Sequence, residues 1–328
     1  MERKLDGHGE LLAALDLGTN NCRLLIARPE APGFRVIDAF SRSVRLGEGL
    51  AATGRLGEAA MRRATQALSV CAAKLEQRQV RRGRYVATEA CRQASNCGEF
   101  LKRVRGETGL DIEIISTEEE ARLAVAGCSP LLAPESPYAV VFDIGGGSTE
   151  LAWLRVQNNG ERRDAGILGV VSLPLGVVNL AERYGSGLLS APQYAAMIGE
   201  ARTILAEFAA GHDAMARIAA GEVQMIGCSG TVTTLAGIDM GLARYSREAV
   251  DGCHLSFEAV RSISARLSRM DWDERMRHAC IGRDRADLIS AGCAILEAIC
   301  DVWPVGRLRV ADRGIREGIL CNLLEQTP

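Results

Sequence analysis

The chain of 328 residues carries 47% hydrophobic and 24% charged side chains and a formal net charge of -2. Those proportions describe a globular protein with material for two cores, and they exclude a disordered or fibrous chain. They also argue against a nucleic-acid binder that lives on many phosphate contacts, and no run reaches the roughly 18 to 20 apolar residues that cross a bilayer.

The opening stretch MERKLDGHGE is charged and lacks the apolar core of a secretory signal, so a cytoplasmic protein is expected. Apolar residues 11–15 and 22–27 flank Asp16-Leu-Gly-Thr-Asn-Asn21 and predict a β-hairpin. Residues 58–75 place Met61, Ala64, Leu68, Cys71 and Leu75 at steps of three and four, an amphipathic helix. Residues 85–88 and 112–115 read as short strands, the second running into a helical pattern at 121–127. Alternating strands and helices indicate an α/β domain with a mixed sheet. The segment 128–137 holds Pro130, Pro134 and Pro137 and is the expected domain boundary.

Beyond it the opening pattern returns. Residues 138–142 and 151–156 flank Asp143-Ile-Gly-Gly-Gly-Ser-Thr-Glu150, so Asp-Leu-Gly at 16–18 and Asp-Ile-Gly at 143–145 take the same place in two similar hairpins. This reads as an internal duplication. Helical stretches follow at 192–209 and 256–269. Between them, residues 223–235 run from an apolar strand through Gly and Ser into a helix start. Residues 307–318 predict a strand, a Gly/Asp turn and a final helix. The eleven cysteines form no C-x-x-C pair and lie in apolar runs, as buried reduced thiols do. His8, His212, His254 and His278 make no pair at helical spacing. A metal is therefore expected on carboxylates, which suits Mg²⁺.

The segment from Asp143 to Glu150 carries the most chemistry. Gly145, Gly146 and Gly147 let backbone N–H groups approach an anion, and Ser148 and Thr149 add hydroxyls. The two terminal acids can hold a divalent cation beside phosphate; the plainer alternative is a tight hairpin with two surface acids. Glu150 stands where a Rossmann fingerprint needs its third glycine, and no Gly-Lys-Ser/Thr of a Walker A loop is present. The matching turn offers Thr19, Asn20 and Asn21 with Arg23 just beyond, though such turns also arise for steric reasons alone. In Gly227-Cys-Ser-Gly-Thr231 the amides around Ser229, Gly230 and Thr231 open a helix, where the dipole favours an anion. Thr231 in place of a second glycine, and no suitably placed His, set it apart from a serine-hydrolase elbow. From spacing alone, Glu120 reads as the capping-box partner of Thr117. Arg92 reads as a solvated charge. Arg78, Arg81, Arg82 and Arg84 read as a solvated face, with guidance of a polyanion as the alternative.

Taken together, Asp16-Leu-Gly-Thr-Asn-Asn-Cys-Arg23, Thr88-Glu-Ala-Cys-Arg92, Ile114-Ile-Ser-Thr-Glu-Glu-Glu-Ala-Arg122, Asp143 to Glu150 and Gly227 to Thr231 resemble the exopolyphosphatase/guanosine pentaphosphate phosphohydrolase (Ppx/GppA) family. Arg285-Ala-Asp-Leu-Ile-Ser-Ala-Gly292 and Asp312-Arg-Gly-Ile-Arg-Glu-Gly318 extend the resemblance almost to the chain's end. It implies the actin-like fold of the acetate and sugar kinase/Hsp70 superfamily: two duplicated α/β domains, an active site in the cleft between them, and a last helix returning to the first domain. The expected domains are residues 1–128 joined by 312–328, and residues 129–311.

The resemblance implies Glu120 as catalytic base, Arg92 as a phosphate-contacting arginine, and Asp143, Glu150 and Asp16 as the acids tied to Mg²⁺. It implies phosphate contacts from Asn20, Asn21, Arg23, Gly145, Gly146, Gly147, Ser148, Thr149, Ser229, Gly230 and Thr231. Thr19 and Asn21 stand where Ser is frequent, and Arg313-Gly314 replace a commoner Gly-Ala. The resemblance implies that longer relatives carry an added C-terminal helical module, which is not expected within these 328 residues. The expected activity is Mg²⁺-dependent release of a terminal phosphate from inorganic polyphosphate, guanosine pentaphosphate (pppGpp) or both, with neither a membrane nor sequence-specific nucleic acid as partner. An ATP-dependent kinase of the same superfamily and a non-catalytic polyphosphate or alarmone sensor are the alternatives, and the oligomeric state, a homodimer included, stays open.

Overall fold

The computed structural model describes residues 10–159, 162–210 and 213–326. His8, His212 and most of the charged opening stretch lie outside them. The chain divides into two compact units, residues 1–115 with 315–328, and residues 116–314.

In the first unit, β1 (Leu12–Leu17), β2 (Asn21–Glu30), β3 (Gly33–Ser43), β4 (Arg82–Ala87) and β5 (Glu113–Ile114) form one sheet in the order β3-β2-β1-β4-β5. The first three strands are an antiparallel meander, and β4 and β5 continue parallel to β1. As the middle strand, β1 is covered on both faces, so Leu12, Ala13, Ala14, Leu15 and Leu17 are all buried without alternation. Helix α1 (Glu58–Gln77) buries Met61, Ala64, Leu68, Cys71 and Leu75 along one stripe, as their spacing predicts. Helices α2 (Glu89–Gln93) and α3 (Cys97–Thr108) follow, and the C-terminal helix Ile315–Glu325 returns to pack on β1. In the basic segment running into β4, Arg78 and Arg81 are exposed as a solvated face would be, while several of its arginines are also paired. Arg78 pairs with Asp38, Arg84 with Glu113, and Arg82 donates to the Leu323 carbonyl.

The second unit repeats this order and extends it. Strands β6 (Tyr138–Ile144), β7 (Thr149–Asn159) and β8 (Arg162–Leu173) form an antiparallel meander. Strand β9 (Val223–Gly227) runs parallel to β6, and β11 (Arg307–Val310) parallel to β9, with β10 (His254–Ser256) antiparallel at the edge. Counted from the meander, each sheet runs third, second and first strand and then a parallel crossover strand. The duplication read from two acidic turns therefore extends to the topology of whole sheets. Its longer helices are α4 (Thr117–Cys128), α5 (Val177–Tyr184), α6 (Ala191–Ala210), α7 (Gly230–Asp239), α8 (Phe257–Leu267) and α9 (Ile289–Val302). Helix α9 is buried around most of its circumference, which is why its sequence is apolar without a stripe.

The units part at 115/116 rather than at the proline-rich stretch after Cys128. Helix α4 packs Ala124, Val125 and Cys128 among Val141, Leu154 and Ile226, in the core of the second sheet. On the return, the Asp312 amide and the Arg313 guanidinium are both held by Asp251, so the second unit keeps the chain to Gly314.

Candidate active site

The acids of both hairpins sit in strands rather than in turns. In the second unit Asp143 and Glu150 oppose each other across the β6–β7 ladder, a pairing that brings side chains of one face to about 4.5–5.5 Å at Cβ. Glu150 is 3% exposed and accepts a hydrogen bond from Ser172 Oγ of β8 at 2.8 Å. Gly314 lies beside Asp143: a Cβ there would stand 4.0 Å from Asp143 Oδ2. Beneath both acids is Cys228, whose thiol is pushed well up by its hydrogen bond with Cys128, by burial and by the two carboxylates.

The turn joining these strands is pulled toward one side. The Gly145 amide donates to the Ser148 carbonyl at 2.9 Å, closing it. The carbonyls of Gly145 and Gly146 accept from the amides of Val177 and Val178, that of Gly147 accepts from Asn179 Nδ2, and Thr149 Oγ1 donates to the Leu175 carbonyl. The start of α5 thus claims the carbonyl side. Among the described residues, none accepts from the backbone N–H of Gly146, Gly147 or Ser148, although Gly147 and Ser148 are buried. Buried donors of this kind have a partner elsewhere, and consecutive N–H groups in a glycine turn form a concavity suited to an anion. Gly176 makes the close approach possible, since a Cβ there would stand 2.2 Å from the Gly146 oxygen.

Helix α4 carries Glu120 over the same hairpin. Its N-cap is Ser116, whose hydroxyl accepts from the Glu119 amide at 3.2 Å, so the capping register is one residue earlier than the Thr117–Glu120 box expected from spacing. Glu120 therefore starts the second turn and points inward, 6% exposed. One small hollow is lined by Ala121, Ala124 and Val125 of the helix together with Asp143, Glu150 and Leu151 of the hairpin. Glu120, Asp143 and Glu150 thus stand on elements packed directly against one another.

Ser229, Gly230 and Thr231 open α7, where Ser229 caps the helix by accepting from the Val232 amide. The Arg285 guanidinium lies against this start, donating to Thr234 Oγ1 at 2.8 Å. Asp312 accepts from Tyr245 Oη at 2.7 Å, and Arg247 Nη2 donates to its carbonyl.

In the first unit, Asp16 opposes Arg23 across the β1–β2 ladder, and Asn20 sits in the turn between them with its carbonyl accepting from the amides of Val44 and Arg45. Asn21 begins β2. Burial raises the Asp16 pKa, against the pull of Arg23 and Arg316. Its Oδ1 and that of Asn20 are buried with no hydrogen-bond donor, acceptors that the donors of a ligand or of cation-bound waters would satisfy. Arg92 is held rather than solvated: Nε and Nη2 donate to Glu89 Oε2 at 3.1 and 2.8 Å, and Nη1 to the Ile115 carbonyl at 2.9 Å. Ser172, Asn179 and Glu89 were missed by sequence reasoning. Ser172 and Asn179 act across an element boundary and carry no pattern of their own, whereas Glu89 stands three residues before Arg92 on the same helix, a spacing the sequence does show.

Among the described residues no three of His, Cys, Asp and Glu gather as a metal cage. The expected trio does not assemble within one unit, because Asp16 belongs to the first and the opposed pair to the second. That pair of hard carboxylate donors fits Mg²⁺, which takes one or two carboxylates and completes its shell with water and substrate phosphates. Among the described residues no helix is long and apolar enough to cross a membrane.

Comparison with known proteins bears on this arrangement. A family model described as the Ppx/GppA phosphatase family matches residues 25–327. Guanosine-5'-triphosphate,3'-diphosphate pyrophosphatases of Aeromonas salmonicida and Aeromonas hydrophila are each 31% identical to this chain over 315 residues, covering 96% of it and 59% of their own length. The chain thus spans about three fifths of the length of these curated relatives. A crystal structure of the Aquifex aeolicus Ppx/GppA family member is 28% identical with a TM-score of 0.78, covering 97% of this chain and 99% of that one. An exopolyphosphatase-like protein of known structure is also 28% identical, with a TM-score of 0.86 over 95% of this chain and 97% of its own. The two matching α/β sheets are the duplicated actin-like fold of these proteins, and by a match over almost its whole length the chain belongs to the Ppx/GppA phosphatase family.

Proposed function

We propose that this protein is a Mg²⁺-dependent phosphohydrolase that removes a terminal phosphate from inorganic polyphosphate, from guanosine pentaphosphate, or from both. One observation carries the reading: the N–H groups of Gly146, Gly147 and Ser148, left without acceptors among the described residues, lie directly beyond two opposed carboxylates. Donors for phosphoryl oxygens next to a seat for a divalent cation are the inventory that phosphoryl transfer asks for, since the protein's part is positioning and charge stabilisation. The names of the Aeromonas relatives point to the same chemistry.

In this reading the turn amides and Ser148 bind the phosphoryl group, and Asp143 and Glu150 hold Mg²⁺, which neutralises charge on the phosphate oxygens when bound. Glu120 orients a water for in-line attack and takes its proton as the bond to phosphorus forms, while the leaving phosphate departs on the opposite side. Arg92, fixed by Glu89 and the Ile115 carbonyl, has its guanidinium pre-oriented for a phosphate contact. Asn20, Asn21 and Arg23 add polar contacts to the substrate, and Ser229, Gly230 and Thr231 supply helix-start amides for a further phosphate.

Phosphate release measured in parallel on polyphosphate and guanosine pentaphosphate, with and without Mg²⁺ and with no ATP or acceptor, tests the proposal. Mg²⁺-dependent release from at least one substrate is expected. Turnover only when ATP and an acceptor are supplied would make the protein a kinase, and binding without turnover a sensor.

A further inference from the structure

We propose that Ser172 is a positioning residue that sets Glu150 for Mg²⁺ binding; this rests on the reading of Asp143 and Glu150 as the Mg²⁺ seat. Strand β7 opposes Asp143 to Glu150 on one side and Glu150 to Ser172 on the other. The three side chains therefore lie in a row on one face of the sheet, as cross-strand neighbours must. The β7–β8 register shifts only farther along, between Trp153 and Leu154, so the pairing beside the glycine turn is regular.

Glu150 is buried, and a carboxylate taken from water needs donors to remain ionised. Ser172 Oγ supplies one to Oε1 at 2.8 Å. The other oxygen is turned toward the glycine turn, with Oε2 3.9 Å from where a Cβ on Gly145 would stand. The Ser172 hydroxyl thus holds one carboxylate oxygen while the second lies on the side where cation and phosphate meet in the proposed mechanism. Losing it removes one donor that orients Glu150 opposite Asp143, where like charges directly opposed are destabilising across a ladder. Groups that orient a ligating carboxylate are commonly worth about 10- to 100-fold in metal affinity.

The experiment compares wild type, Ser172→Ala, Ser172→Thr and Glu150→Gln in two readouts. The first is Mn²⁺ uptake by the substrate-free protein, followed by electron paramagnetic resonance. The second is the Mg²⁺ concentration giving half-maximal phosphate release. Ser172→Ala is expected to weaken Mn²⁺ binding by about 10- to 100-fold and to raise the half-maximal Mg²⁺ concentration similarly, with kcat at saturating Mg²⁺ largely retained. Ser172→Thr keeps the hydroxyl and is expected to restore both values to within a few-fold of wild type. A merely structural role would lower kcat and stability together and would leave no Mg²⁺-specific deficit for threonine to rescue. Wild-type affinity in Ser172→Ala alongside weakened binding in Glu150→Gln overturns the role of Ser172 alone. No Mn²⁺ uptake by wild type, or uptake untouched by Glu150→Gln, removes the Mg²⁺ seat itself and this inference with it.

Discussion

Glu120 owes its inward position to a cap one residue ahead of the one its own spacing suggests. With Ser116 accepting from the Glu119 amide, Glu119 takes the helix-start position and Glu120 falls in the next turn. In the proposed role of general base it would be worth about 10²- to 10⁴-fold in rate. Glu120→Gln is therefore expected to lower turnover by that factor while polyphosphate binding, measured by filter retention, is kept; equal loss of both would contradict the role. Asp16 makes a different trade. Burial holds its carboxyl above the ordinary 3.8, so the folded chain binds that proton more tightly than the unfolded one. Its contribution to stability is complete below about pH 3.8 and is lost as pH rises through the raised folded-state value. Above the ordinary value, burial of the carboxyl is therefore a cost to folding. Asp16→Asn is expected to raise the urea midpoint at pH 7, with the advantage shrinking toward about pH 4 and activity reduced. Equal midpoints at pH 7, or a gap that widens in acid, would count against this account.

At the scale of elements, the turn between β6 and β7 is organised by its neighbour α5. The sequence shows why glycine is wanted in that turn but not which backbone presses on it. Gly176 is the point of pressure: a Cβ there would also stand 2.4 Å from the Gly147 nitrogen, and backbone against backbone has no rotamer to escape into. Gly176→Ala is expected to cost about 1–3 kcal/mol in denaturant unfolding and to impair phosphate release. Gly98, inside α3 with nothing within 4 Å of an added Cβ, is the matched control, where alanine should stabilise by about 0.5–1 kcal/mol. Similar effects at both positions would mean that the close approach is unimportant. The strands on either side were legible because their apolar runs are short and bounded by turn residues. Strand β8 was not, and with it went Ser172, because an edge strand of mixed polarity carries no clear period.

Across the whole molecule, the eleven cysteines behave as their scatter through apolar runs predicts. Nine are buried, Cys253 and Cys321 are half-buried, and none is disulfide-bonded. Burial pushes the Cys293 thiol up to about 12, far from the reactive thiolate range. A thiol reagent such as dithionitrobenzoate should label at most two groups rapidly in the native protein and all eleven in denaturant without reductant. Fast labelling of more, or a shortfall after unfolding, would contradict buried reduced thiols. The two-sheet architecture and its duplication could be read from the chain because apolar periodicity and the glycine-bearing acidic hairpins are written in neighbouring residues. The point where the chain passes from one unit to the other could not: the proline-rich stretch is the stronger local signal, yet the packing of Ala124, Val125 and Cys128 assigns α4 to the second sheet. Likewise the residue types of the site were present in the sequence. That Asp143 faces Glu150, Glu150 faces Ser172 and Arg92 reaches the Ile115 carbonyl was decided by strand register and packing, which join residues far apart in the chain and exist only once it has folded.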